Sequence, residues 1–221
     1  MITPQLPIRI RPGLPVDVAT KAAEALSRAV VRFSITTARR LAHWLAQLAQ
    51  ESGFRPDAKE DMAKYSATNL VTLLPTRFPV VLAHKVAGNA QAVGHIAYGG
   101  RLGNGANLDG SPSGNHDGSL YVGRSYPQLT GKANYLKYGL LLNLPLVAQP
   151  DTALQYGAGA LIAACWSDHG CSRYADRGGV EMVETVTRAV NGGTNGLAAR
   201  MLTTAWPPPR WRWPPSLSHS L

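Results

Sequence analysis

Glu51 follows an apolar helical stripe, and its position is the first indication of acid chemistry in this sequence. Apolar residues recur before it at helical spacing: Ala38, Leu41, Ala42, Leu45, Leu48 and Ala49. Glu51 continues this stripe, whereas most polar residues of the segment fall on other faces. Burial disfavours a charged carboxylate, and so does the negative end of a helix dipole. Both effects favour a carboxyl that keeps its proton near neutral pH, as a general acid must.

A second carboxylate follows nine residues later, at Glu60, with Asp61 beside it. Gly53 and Pro56 allow the chain to fold back and to place this carboxylate across a groove from Glu51. Inverting glycoside hydrolysis requires two carboxyls about 6.5–9.5 Å apart, one protonated and one ionised. A plainer alternative stays open for both, in which the first acid turns to water and the second belongs to a solvated turn.

Helices are the elements that must position these acids. We predict helices over 18–32, 36–51, 67–74, 79–98, 131–139, 151–168 and 180–190. Asp17 is the expected N-cap of the first helix, and Thr36 or Thr37 that of the second. Residues 99–118 contain seven glycines and predict a long loop. No convincing strand is present, so the predicted class is mostly α.

The chain divides by composition into three segments. Residues 1–16 predict an extended N-terminal segment, 17–205 a catalytic domain, and 206–221 a disordered tail rich in Trp, Pro and Arg. Trp/Arg-rich tails can contact membrane interfaces, which makes membrane-surface contact by the tail a hypothesis; a tail with no role is the alternative.

Composition is typical of a soluble globular protein, with 221 residues, 45% hydrophobic and 16% charged. The net charge of +9 favours an anionic partner such as a nucleic acid, an acidic membrane face or a cell-wall polymer. Because no run of five Lys or Arg occurs, we expect no nucleic-acid binding. The two cysteines, Cys165 and Cys171, are expected to be reduced thiols, with a bond between them as the alternative. The six histidines lack metal-ligand spacing.

The N-terminus, MITPQLPIRIRPGLP, lacks the apolar core of a signal peptide. No apolar stretch approaches the 18 residues typical of a membrane span. A target outside the cytoplasm would therefore require another route of release.

AHWLAQLAQESGF resembles a segment of glycoside hydrolase family 19, in the branch of phage endolysins. The resemblance continues in order through KYSATNL, AYGGRLGNG, YVGRSYPQLTGKANYLKYG and VTRAVNGGTNGLAAR, over about residues 17–200. It implies a lysozyme-like, mostly helical, two-lobed fold with a central substrate groove.

The resemblance also implies roles for individual residues. Glu51 would be the general acid and Glu60 the general base, with Asp61 as the alternative base. Thr130 would position the nucleophilic water, although it is also placed to cap the next helix. The substrate-binding residues implied by the resemblance are Gln128, Asn134, Asn191, Tyr121, Arg124 and Arg200. For Asn191, the alternative is a purely structural role in the NGG turn.

The sequence departs from the family pattern at several points. Gln50 replaces a histidine before the acid, one glycine is missing from ESGF, and Pro127 stands beside a groove residue. The family's closing helix is expected to be absent, because the sequence turns into the Trp/Pro tail after Arg200.

These observations predict a monomeric, peptidoglycan-degrading hydrolase that cleaves the β-1,4 amino-sugar backbone with inversion, without cofactor or metal. An endolysin of this kind would act from the host bacterial cytoplasm and reach the cell wall through a holin. The alternatives are a bacterial chitinase of the same family, a lytic transglycosylase, and a non-catalytic wall-binding protein.

Overall fold

Twelve helices joined by turns and loops make up the part of the chain that the structure describes, residues 1–168 and 171–205 of a computed structural model. They are α1 Gln5–Ile10, α2 Val16–Arg32, α3 Ala38–Glu51, α4 Ala67–Leu73, α5 Val80–Val86, α6 Ala90–Tyr98, α7 Asp117–Leu120, α8 Lys132–Leu142, α9 Tyr156–Asp168, α10 Cys171–Ala175, α11 Val183–Asn191 and α12 Leu197–Ala205. Short 3-10 turns cover Met62–Lys64, Pro150–Leu154 and Val180–Met182.

Strand pairing in these described residues is limited to isolated bridges, which join Lys59 to Arg124 and Arg124 to Leu129. The predicted mostly α class is confirmed. No helix within the described ranges is both long and apolar enough to span a membrane. The predicted tail, 206–221, lies outside the described residues.

The chain divides into two compact units. The first contains residues 1–56 and the described residues from 159 onward, and the second contains residues 57–158. Glu51 therefore belongs to the first unit, and Glu60, Gln128 and Thr130 belong to the second.

The N-terminal segment is not extended, because residues 5–10 form α1. Pro7 lies in the first turn of this helix, where its missing N–H removes no intrahelical hydrogen bond. The backbone N–H of Ile2 donates to Ser27 Oγ at 2.8 Å, which ties the segment to α2. Asp17 is not the N-cap of α2 either. Pro15 occupies that position, and Asp17 lies in the first turn, where the helix dipole favours an anion.

Helix α3 begins as predicted, with Thr37 accepting a hydrogen bond from the Arg40 N–H at 3.1 Å. Its buried surface is wider than the apolar stripe, since His43 and Gln47 are also buried. His43 Nε2 lies 3.2 Å from Gly178 O, and Gln47 Nε2 donates to Thr187 Oγ1 at 3.4 Å. Because α11 and α12 also pack on it, α3 buries polar faces that periodicity assigned to solvent.

The expectation that no helix continues after Arg200 is wrong, because α12 continues to Ala205. Thr204 is buried one turn beyond Arg200, and its hydroxyl donates to Arg200 O at 2.8 Å. Packing of α12 against α3 keeps this segment helical up to the residue before the Trp/Pro sequence.

The second unit has a separate apolar core, formed by α4, α5, α6 and neighbouring residues. Gly88, with φ +82°, separates α5 from α6, which divides the predicted helix 79–98 into two. The buried members of this core are Met62, Leu70, Phe78, Ala83, Val86, Ala92, Val93, Ile96, Ala97 and Val122.

The glycine-rich loop is present as predicted, except that its last residues begin α7. Its own polar groups hold it in place. The Gly105 N–H donates to Asp117 Oδ2 at 3.0 Å, and the Lys132 N–H donates to Asn104 Oδ1 at 2.8 Å.

Candidate active site

Glu51 is the last residue of α3, and its side chain is 20% exposed. Arg200 Nη2 donates to Glu51 Oε1 at 2.5 Å, and the Arg200 side chain is only 2% exposed. The same guanidinium donates to Gln47 Oε1, and Arg200 Nε donates to Asn195 O at 3.1 Å. Three contacts therefore fix the arginine, which in turn fixes one oxygen of the carboxylate.

This ion pair answers the question that periodicity leaves open. Glu51 does not turn fully to water, and it is not an unpartnered buried acid either. The guanidinium of Arg200 is buried against Glu51 and Gln47, and substrate contact by this residue stays a prediction. The periodicity of α3 carries no information about a partner that lies 149 residues further along the chain.

Two departures from the family pattern lie next to Glu51, and the structure shows how Gln50 and Phe54 are accommodated there. Gln50 packs against Gly196, where a Cβ would lie 2.4 Å from the glutamine Cδ. Phe54 follows the motif with φ +63°, a backbone conformation that favours glycine, and its side chain is fully buried. Phe54 thus combines a buried ring with a left-handed backbone at the point where this sequence lacks the family's second glycine.

Glu60 lies among neutral hydrogen-bond donors. Tyr98 Oη donates to both carboxylate oxygens, at 3.0 and 2.9 Å, and the Gly123 N–H donates to Oε2 at 3.2 Å. The Glu60 N–H donates to Gly123 O at 2.8 Å, which fixes the backbone beneath the side chain. Burial and the nearby Glu60 charge raise the pKa of both Tyr98 and Tyr65, and the Tyr65 side chain also bonds to Glu60. Both phenols therefore stay protonated and remain donors.

Asp61, the alternative base, has a local structural role. Its carboxylate accepts from the Ala63 N–H at 3.1 Å and caps the short 3-10 turn. It also pairs with Lys64 at 3.7 Å. These contacts favour Glu60 over Asp61 as the reactive acid.

Three polar side chains of the second unit surround Gly123. A Cβ on this glycine would lie 2.7 Å from Gln128 Oε1, 3.3 Å from Glu60 Oε2 and 3.3 Å from Thr130 Oγ1. A side chain at this position would displace Gln128 and crowd Glu60 and Thr130. We call Glu60, Gly123, Gln128 and Thr130 the Glu60 cluster.

Hydrogen bonds to the backbone hold the members of this cluster. Thr130 Oγ1 donates to Gln128 O at 2.8 Å, and Asn134 Nδ2 donates to Thr130 O at 2.7 Å. Gln128 Nε2 donates to Ala58 O at 3.3 Å. Thr130 does not cap α8 through its side chain, because Gly131 is the N-cap and no side-chain cap bond forms.

Tyr121 and Arg124 are buried in the second unit, and substrate contact by either residue stays a prediction. Tyr121 is 3% exposed and donates to Val147 O at 3.1 Å. Arg124 is 2% exposed and donates to Asp151 Oδ1 at 2.7 Å and to Tyr135 Oη at 3.0 Å. Both therefore support the segment that carries the Glu60 cluster.

Asn191 ends α11 in the first unit, and its Oδ1 accepts from the Gly193 N–H at 2.9 Å. This contact is the turn role that the sequence left as an alternative. Within the described ranges, no group of three or more His, Cys, Asp or Glu residues is arranged to hold a metal ion.

The resemblance segments also contain site residues that sequence reasoning missed. Tyr65 lies in KYSATNL, Tyr98 in AYGGRLGNG and Gly123 in YVGRSYPQLT. Each segment was recognised as a whole, but the hydrogen bonds that join these residues to Glu60 require the folded second unit.

Comparison with known proteins shows which family the chain belongs to. No protein-family model matches the sequence. A glycosyl hydrolase family 19 domain-containing protein of Haemophilus influenzae is 30% identical over 178 residues, which cover 80% of this chain and 82% of that protein.

Two solved structures share the fold. Chitinase C from Streptomyces griseus HUT6037 matches with a TM-score of 0.52 and 18% identity, over 92% of this chain and 73% of that one. A chitinase C mutant, in which glutamine replaces a glutamate, matches with a TM-score of 0.55 and 16% identity, over 92% and 88%. With the identity to the Haemophilus protein, these likenesses show that the chain belongs to glycosyl hydrolase family 19 and is a glycoside hydrolase.

Proposed function

We propose that this glycoside hydrolase cleaves the β-1,4-linked amino-sugar backbone of peptidoglycan, with inversion at the anomeric carbon. Glu51 acts as the general acid, Glu60 as the general base, and Thr130 positions the attacking water. The observation that carries the proposal is the Glu60 cluster. Its carboxylate is held by Tyr98 and Gly123, with the Thr130 hydroxyl beside it.

In the proposed reaction, Glu60 takes a proton from a water molecule as that water attacks the anomeric carbon. The Thr130 hydroxyl donates to Gln128 O, so its lone pairs remain free to accept from the water. Glu51 gives its proton to the glycosidic oxygen as the bond to the anomeric carbon breaks. Arg200 orients the Glu51 carboxyl and takes no part in proton transfer.

Net charge supports peptidoglycan as the substrate. The chain carries +9 and has a pI near 9.9, which suits attraction to an anionic wall polymer. Chitin is uncharged and offers no such attraction. Cleavage of chitin is nevertheless the second candidate, because the two similar structures are named chitinases.

The test is clearing of permeabilised Gram-negative cells by the wild type, Glu51→Gln and Glu60→Gln, with Asp61→Asn as the matched control. We expect each glutamate variant to lose about 10²–10⁴-fold in rate, the range for general acid–base catalysis. The control should keep most of the activity, because Asp61 caps a turn. Sugars released from purified peptidoglycan and from chitin oligomers then identify the substrate.

Each rival has its own outcome in this assay. A lytic transglycosylase needs one acid, so Glu60→Gln would stay active and anhydro ends would appear. A non-catalytic wall-binding protein would show no difference between the wild type and Glu51→Gln.

We further propose that the protein acts as an endolysin that a holin releases from the host cytoplasm. Co-expression with a holin in a Gram-negative host should cause lysis, whereas expression of Glu51→Gln with the same holin should not. Lysis by the wild type without a holin would contradict this route.

A further inference from the structure

A cavity of about 290 Å³ lies beside Glu60 within the second unit. Its apolar lining combines buried residues of the second core with two more accessible leucines, Leu73 and Leu74; the buried residues are Met62, Leu70, Val93 and Ala97. Glu60, Tyr65 and Tyr98 form its polar wall. Small-molecule pockets start at about 300 Å³, so this cavity suits a substituent of a sugar more than a whole sugar chain.

Arg101 also lines this cavity, and its contacts set it apart from the buried arginines of the protein. It makes a long hydrogen bond to Ala97 O, at 3.4 Å. In the described part of the chain, no carboxylate forms an ion pair with it. Arg124 and Arg200, in contrast, are each paired with an acid. Arg101 is exposed and therefore brings to the cavity lining a positive charge that no described carboxylate pairs with directly.

Arg101 forms no ion pair with Glu60, which is held in place by neutral donors, so Arg101 is available to an outside anion. Tyr98 and the Gly123 N–H both donate to the Glu60 carboxylate. Leu73, which also lines the cavity, is 60% exposed, so the cavity has an open side. An apolar surface with a guanidinium beside it is complementary to a ligand with an apolar body and a carboxylate.

We propose that this cavity binds the peptide-bearing lactyl arm of a muramic acid residue, an inference that rests on the proposed function. The lactyl and alanyl methyl groups contact Leu73 and Leu74, and a stem-peptide carboxylate pairs with Arg101. Chitin carries acetamido and hydroxyl groups but no carboxylate, so it has no ionic partner for Arg101. The cavity thus selects peptidoglycan over chitin next to the proposed base.

The test measures binding to the full chain carrying Glu51→Gln, so that turnover does not interfere. The two probes are a disaccharide-peptide from peptidoglycan and the same disaccharide without its peptide, with the lactyl carboxyl that an amidase exposes capped as a simple amide so that this probe carries no carboxylate. We expect the peptide-bearing probe to bind about tenfold more tightly, as one charge-assisted contact allows. Adding Arg101→Gln should reduce this ratio to about one, and Arg101→Lys should restore part of it.

The matched control is Lys85→Gln, which removes one exposed charge of the same unit from outside the cavity lining. It should leave the tenfold ratio unchanged. A ratio near one before any change at Arg101, or a ratio that survives Arg101→Gln, would overturn the inference.

Cleavage by the wild type is measured separately on peptidoglycan, and it distinguishes the two levels of the proposal. Cleavage without a binding preference for the peptide leaves the proposed function standing and overturns the cavity assignment. A binding preference without cleavage overturns the proposed function and leaves the cavity assignment standing.

Discussion

The two proposed catalytic acids are held in electrostatically different ways. Glu51 in the first unit has a charged partner, the buried guanidinium of Arg200. Glu60 in the second unit has neutral partners, chiefly the Tyr98 hydroxyl and the Gly123 N–H. A charged partner attracts an ionised carboxyl strongly but leaves a buried charge behind when the acid or the arginine is lost. Neutral donors also orient a carboxyl, but removing one of them lowers the free energy of unfolding much less than removing an ion-pair partner does.

This contrast predicts unequal effects when one partner of each acid is removed. Arg200→Met should destabilise the protein by about 3 kcal/mol, the lower end for a broken buried ion pair, because Glu51 is partly exposed. It should also lower kcat/KM about 10²-fold, since the carboxyl loses its orientation. Tyr98→Phe removes one neutral donor and should cost only about 1 kcal/mol. Urea unfolding and steady-state kinetics on both variants provide the comparison, and equal destabilisation would contradict it.

A change at Gly123 should affect activity far more than stability. In Gly123→Ala the new methyl would lie 2.7 Å from Gln128 Oε1, so this side chain and its neighbours must shift. We expect a loss of about 10–100-fold in kcat/KM from misplacement of the cluster. The free energy of unfolding should change by about 1 kcal/mol or less, because flexible side chains absorb the contact.

Gly157→Ala is the matched control for Gly123→Ala, because nothing lies within 4 Å of a Cβ at that position in the same unit. It should leave kcat/KM unchanged. Full activity of Gly123→Ala would show that the arrangement around this glycine does not matter for turnover.

The smallest expected effect concerns pH. Each unit contains a buried histidine, His43 in the first and His95 in the second. Burial lowers the pKa of both from the ordinary 6.5. Below about pH 6.5 the unfolded chain binds protons that the folded chain does not, so stability falls as the pH drops.

Replacing either histidine with glutamine should make the decrease in the free energy of unfolding between pH 7.5 and 5.5 smaller by about 1 kcal/mol or less. Urea unfolding at the two pH values measures the loss, and comparing the two variants shows which unit is more sensitive to acid. Unchanged pH dependence in both variants would contradict the assignment.

Local patterns predicted the parts of this molecule that depend on neighbours in sequence. The spacing of Leu41, Leu45 and Leu48 predicted α3, and Thr37 was one of its two expected caps. In the second unit the helix predicted over 67–74 is present as α4, whereas the one predicted over 79–98 is divided at Gly88 into α5 and α6. Resemblance over 17–200 indicated the family, which the comparison with the Haemophilus protein confirmed.

Contacts between distant residues were not predictable in this way. The ion pair of Arg200 with Glu51 joins α12 to α3, and nothing in either helix alone indicates it. The ion pair of Arg124 with Asp151 likewise joins residues 27 positions apart. The extended N-terminus was wrong because proline content was weighed without the packing of Leu6, which is buried.

The distance in sequence between Glu51 and Arg200 has a consequence for biosynthesis. A ribosome makes the glutamate 149 residues before the arginine, and α3 emerges long before α12. The carboxyl therefore lacks its counter-charge throughout most of translation and acquires it only when the final described helix docks. We therefore expect any activity that depends on this contact to be missing from chains that end before α12.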